Sequence, residues 1–162
     1  MSRRLIFSFI IFSFSGSVAA FVGKVNLSVD IYSERKINGL DIVTPQSDFT
    51  LEYESGKNKF KVLKIPFMVR STISKSALDN YSLTLLNAET YCKTESKSET
   101  LPKPKVMFKI DDTEFSVSKA LKFKNNAYKS NHTLSVDVYD VKQVNQFQEC
   151  QGRLSIMARA RI

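Results

Sequence analysis

Few side chains in this 162-residue chain could do chemistry. The one histidine, His132, ends the stretch Lys129-Ser130-Asn131-His132. A general base or a metal ligand needs partners of matching chemistry. KSNH instead has the composition of a turn, which makes His132 a solvated loop residue. Asp111, Asp112 and Glu114 crowd three carboxylates together. A hydrolytic pair or a calcium site could use them, but the further oxygen ligands of a calcium loop are missing from the spacing. Asp111-Asp112-Thr113 between two apolar runs reads instead as a hairpin turn. Five glycines leave no phosphate-binding loop, and neither a nucleophile elbow nor a Cys-His couple can be assembled. The sequence argues against an enzyme and calls for no cofactor or metal.

Cys92 and Cys150 are the only cysteines, and their chemistry depends on the compartment. The first twenty residues point to export. Arg3 and Arg4 precede an apolar run, Leu5 to Phe14, and Gly16-Ser17-Val18-Ala19-Ala20 supplies small residues for cleavage after Ala19 or Ala20. Ten apolar residues reach only about 15 Å as a helix, half the thickness of a bilayer core. Residues 1–20 therefore read as a signal peptide, and no later run is apolar enough for a membrane span. In an oxidising compartment the two cysteines most simply form one disulfide, with free thiols as the alternative. Losing Arg3 and Arg4 lowers the net charge from +8 to +6. The lysines are scattered rather than clustered, so they read as a solvated, edge-protecting surface and not as a nucleic-acid footprint.

The elements that would position any site are strands. Residues 21 to 33 (FVGKVNLSVDIYS) alternate, with Gly23, Val25, Leu27, Val29 and Ile31 on one face and Lys24, Asn26, Ser28 and Asp30 on the other. Further strands are predicted over 47–54, 60–71 (interrupted or at an edge because of Pro66), 81–86, 106–110, 114–117, 134–141 and 153–162. Residues 55–58 read as a turn, 74–80 as a polar break and 95–105 as a surface loop. No helical stripe exceeds two turns. Seven or eight short strands predict a single all-β domain, an antiparallel sandwich, whose work is binding or assembly.

Several segments resemble one family, the pilins of the CFA/I type (class 5, alpha clade) of chaperone-usher fimbriae of Gram-negative bacteria. Ser28-Val29-Asp30 is similar to the family's T-A-S-V-D-P segment, with Ile31 where its proline stands. Phe49-Thr50-Leu51-Glu52-Tyr53 followed by Lys59-Phe60 resembles its L-x-Y … F stretch. Val106 to Ile110 resembles a middle strand, and Leu134-Ser135-Val136 and Gly152 to Met157 resemble the last two. The cysteine pair and the lysine content depart from the major subunits, which suggests a divergent or minor one. The chain also lacks the penultimate tyrosine of the other large pilin group.

The resemblance implies an incomplete immunoglobulin-like antiparallel β-sandwich, completed by a donor strand from another subunit. Residues 21–31 would be the donor extension and 32–162 the pilin domain. Gly23, Val25, Leu27 and Val29 would enter a neighbouring groove, and Leu154, Ile156 and Ala158 would line this chain's own. The implied partners are other fimbrial subunits, a periplasmic chaperone, an outer-membrane usher and a host glycan receptor, and the implied place is an adhesive fimbria on the cell surface. The residues alone leave open a monomeric secreted binding module, lectin-like or inhibitory.

Overall fold

A computed structural model of the chain describes residues 24–33, 39–54, 59–73, 80–94, 103–124, 128–141 and 148–160. The expected leader, Gly23, the turn at 55–58 and most of the polar break and surface loop lie outside the described residues. Among the described residues twelve strands follow one another: β1 (Lys24–Ser33), β2 (Leu40–Val43), β3 (Asp48–Leu51), β4 (Tyr53–Glu54), β5 (Lys59–Phe60), β6 (Leu63–Ser71), β7 (Asn80–Thr94), β8 (Lys105–Ile110), β9 (Thr113–Phe115), β10 (Leu121–Lys124), β11 (Lys129–Tyr139) and β12 (Gln148–Ala160). Five form a sheet in the order β10-β7-β12-β1-β3, and five form a second sheet, β2-β6-β11-β8-β9. β4 and β5 make a separate ribbon.

Period-two patterning explains how the sheets meet. On β11 the side chains of His132, Leu134, Val136 and Val138 are buried, and the residues between them are not. β6 does the same with Ile65, Phe67 and Val69. These side chains face Tyr81, Leu83 and Leu85 of β7 and Leu154, Ile156 and Ala158 of β12 in one shared core. Fully burying a Leu, Ile or Val contributes about 1.5–3 kcal/mol against leaving it exposed, and this drives the two sheets together. The fold is all-β, as the alternation predicts.

Three local features have identifiable causes. Asp111 and Asp112 both adopt left-handed backbone angles, φ 48° and 64°, which lets a two-residue turn match the twist of β8 and β9. Pro66 is tolerated in β6 because β2 pairs only as far as Met68, so the missing N–H faces no partner strand. The register between β7 and β12 shifts at Ser155/Ile156, leaving Leu86 as an extra residue on β7.

The structure corrects several expectations. β2 and β10 have no counterpart in the predicted strands. β7 runs to Thr94 instead of stopping at Leu86, because the bulge at Leu86 resets the alternation and carries the strand on to Cys92. β11 and β12 start five residues earlier than expected. Residues 47–54 are not one strand: β3 ends at Leu51, and after Glu52 the chain enters the β4–β5 ribbon. His132 is not a solvated loop residue; it is a strand residue, 6% exposed.

Candidate functional site

The alternating segment over residues 24–33 takes a telling position. β1 lies between β12 and β3, parallel to β12 and antiparallel to β3. Every other pairing among the described strands is antiparallel. The first strand thus lies beside the last, and the first sheet is continuous only through β1. Without it, β12 and β3 would each present a row of unpaired backbone groups.

The register matches kind with kind. Val25, Leu27, Val29 and Ile31 stand opposite Cys150, Gly152, Leu154 and Ile156, while Lys24, Asn26 and Ser28 stand opposite Glu149, Gln151 and Arg153. Leu154, Ile156 and Ala158, expected to line a groove, are almost fully buried. β12 is fixed from its other side by β7, with which it pairs along its whole length. Cys92 and Cys150 are directly opposite on these two strands, with Cα atoms 4.0 Å apart, and they form a disulfide. The wall beside β1 is therefore covalently tied.

A second constellation was not legible as such from the residue types. The His132 ring sits between Phe67 and Phe123, with ring centres at 5.3 and 4.6 Å. Its Nδ1 lies 2.6 Å from Asp111 Oδ2 and its Nε2 bonds the Tyr81 hydroxyl. A carboxylate only accepts, so Nδ1–H donates to Asp111, and in the neutral ring Nε2 accepts from Tyr81. Asp111 Oδ1 also accepts from the Thr133 backbone N–H at 2.9 Å. Burial pushes the Tyr81 hydroxyl above the ordinary phenol range; a hydrogen bond from Ser130 opposes this and the Asp111 charge adds to it.

Asp, His and Tyr in a row suggest a proton relay, but Tyr81 is 0% exposed. No substrate atom could reach its hydroxyl. The cluster bolts the sheets together instead, joining Tyr81 and Phe123 of the first sheet to His132, Phe67 and Asp111 of the second. Among the described residues no group of three or more His, Cys, Asp or Glu could hold a metal ion.

No protein-family model matches the chain, and no curated protein matches its sequence. Among solved structures, the CooA pilin subunit from enterotoxigenic Escherichia coli is similar at 11% identity, covering 72% of this chain and 97% of that one, with a TM-score of 0.45.

The remaining polar contacts are peripheral. Lys61 and Glu52 form an exposed pair at 2.6 Å, which lowers the Glu52 carboxyl and raises the Lys61 amine. Arg70 and Asp41 link β6 to β2 at 2.8 Å. Exposed pairs of this kind contribute little to stability.

Proposed function

We propose that the chain is a subunit of an adhesive surface fimbria, exported with its signal peptide removed and polymerised by exchange of the β1 segment between copies. One observation carries the reading: among the described strands, the first occupies a slot beside the last and makes the only parallel pair. On this reading the structure is a self-capped subunit. The slot formed by β12 and β3 is the acceptor groove, and the segment that fills it can be supplied by another copy.

Physical chemistry favours such an exchange. Parallel pairing is slightly weaker per residue than antiparallel pairing. A strand from another copy is not held by this chain's own connections and can enter in the antiparallel sense. Alternation at every second position reads the same in both directions, so Val25, Leu27 and Val29 would still meet the groove. Before export, a chaperone strand would hold the groove open and an usher would direct the replacement, the mode of strand addition at an exposed sheet edge. The sequence resemblance to CFA/I-type pilins supports the same reading, and the cysteine pair supports a divergent or minor subunit.

The second reading, a monomeric secreted binding module, is favoured by the same closed sheet: a β1 that never leaves makes the sandwich complete. The experiment that separates them uses three forms of the exported chain: residues 21–162, the same without 21–33, and a form with that segment moved to follow Ile162. The truncated form is tested alone and with a synthetic peptide of residues 21–33. Fimbrial exchange predicts an unstable truncated chain rescued by the peptide, a stable monomer from the grafted form, and slow conversion of the full chain into multimers on warming. A full chain that stays monomeric and takes up no labelled peptide would overturn it.

A further inference from the structure

We infer that the outer face of the second sheet carries a binding site for a neutral sugar, organised around Asp111. The inference goes beyond assembly and uses no residue of β1. A recess of about 610 Å³ opens on this face, lined among others by Pro45, Pro66, Met68, Asp111, Asn131 and Thr133. Cross-strand register brings these residues together. Asn131 stands opposite Met68 and Thr133 opposite Pro66. The Asp111 backbone N–H donates to the Thr133 carbonyl at 3.1 Å, which sets the turn beside them.

The Asp111 carboxylate is held, not free. Thr133 N–H donates to Oδ1 at 2.9 Å and the buried His132 Nδ1–H donates to Oδ2 at 2.6 Å, yet the side chain remains 44% exposed. A carboxylate offers roughly four lone-pair directions. The two that remain are available to a ligand at fixed angles, with no side-chain ordering left to be done on binding. This gives the buried His132 a purpose that sheet packing alone would not require, since an apolar residue could fill the same space.

The lining selects the ligand class. Among the described residues no Lys or Arg lines the recess, so the lining favours a neutral sugar over a sialylated or sulfated one. An ammonium group only donates, so it would leave the Asn131 and Thr133 donors unused. The Asn131 amide and the Thr133 hydroxyl add donors beside the acceptor, and a sugar hydroxyl both donates and accepts. Pro45, Pro66 and Met68 supply an apolar platform for the C–H face of a pyranose ring. A few fixed polar groups around apolar lining is the usual composition of a small-molecule site.

Saturation-transfer NMR observes the ligand and works equally on a monomer or a polymer, so its outcome is independent of strand exchange. The exported chain is titrated with methyl β-galactoside, methyl α-mannoside and methyl N-acetyl-β-glucosaminide, and with Nα-acetyl-lysine methylamide as a cation probe. Saturation of at least one glycoside is expected, with dissociation in about the millimolar range for a single ring on an open site. Asn131→Ala, at an exposed position, should weaken it by roughly tenfold with unchanged melting, the loss of one hydrogen bond. Asp111→Asn should weaken it at least as much. Silence from all three glycosides, saturation of the lysine probe alone, or unaltered binding in Asn131→Ala would each overturn the assignment.

Discussion

Removing the Cys92–Cys150 bridge tests how the strand beside β1 is held. The two residues are 58 positions apart, and the loop they close contains β8, β9, β10 and β11. On the chain-entropy account, closing a loop of that length stabilises the fold by about 4 kcal/mol at 25 °C. Both sulfurs are buried, so a Cys92→Ala/Cys150→Ala variant also loses packing of roughly 1 kcal/mol per site. The expected total, about 5–6 kcal/mol, is a large share of the 5–15 kcal/mol typical of a domain. The backbone pairing of β7 with β12 is unaffected, so the variant should keep its β signature by circular dichroism while its melting temperature falls by roughly 10–20 °C. Urea unfolding of the oxidised chain, the reduced chain and the double variant separates the terms. The reduced chain isolates loop closure, and its denaturant slope should rise because the unfolded state expands. A reduced chain within about 1 kcal/mol of the oxidised one would refute the loop-entropy reasoning and assign the register to strand pairing alone.

Other outcomes follow from single positions. Tyr81→Phe leaves His132 Nε2 without its donor inside the core and should cost about 1–3 kcal/mol in urea melts. The same variant should change the alkaline limb. Because the folded Tyr81 hydroxyl binds its proton more tightly than in the unfolded chain, its contribution is full below the ordinary phenol value of about 10 and is lost as pH rises above it. The stability difference between wild type and Tyr81→Phe should therefore shrink above that pH; a constant difference would sink the assignment. Gly39 has φ 62°, and a Cβ there would lie 2.6 Å from Ile73 Cδ1. Ile73 is exposed and can move aside, so Gly39→Ala should cost about 1–2 kcal/mol, mainly from the left-handed backbone, and lower the melting temperature by a few degrees. Val25→Asp or Leu27→Asp should abolish multimers seen by size-exclusion chromatography, and unaltered assembly would remove β1 from the donor role.

What could be read from the residues depended on whether the signal was local. Alternation marked four strands of the second sheet, β6, β8, β9 and β11, while β2 went unmarked, and Asp111-Asp112 marked the hairpin, since turn chemistry acts over a few residues. His132 was within reach: it stands two residues before Leu134, in phase with Val136 and Val138, so extending the period backward places it on the buried face. The turn-like composition of KSNH hid this. Its partners were not within reach, because Tyr81 is 51 residues away and Asp111 is 21, and nothing local pairs them. Leu86 hid the far half of β7, since one bulged residue breaks the very period used to find strands. β1 is the sharpest case. A period of two states that the segment is a strand and which residues share a face, and it says the same whether the neighbour runs parallel or antiparallel, or belongs to this chain or another. Only the relative free energies of those pairings decide, and on the proposed reading the groove would accept either direction. The feature that makes the segment easy to recognise is thus the one that leaves its partner open, and that degeneracy is what a strand-exchanging subunit requires.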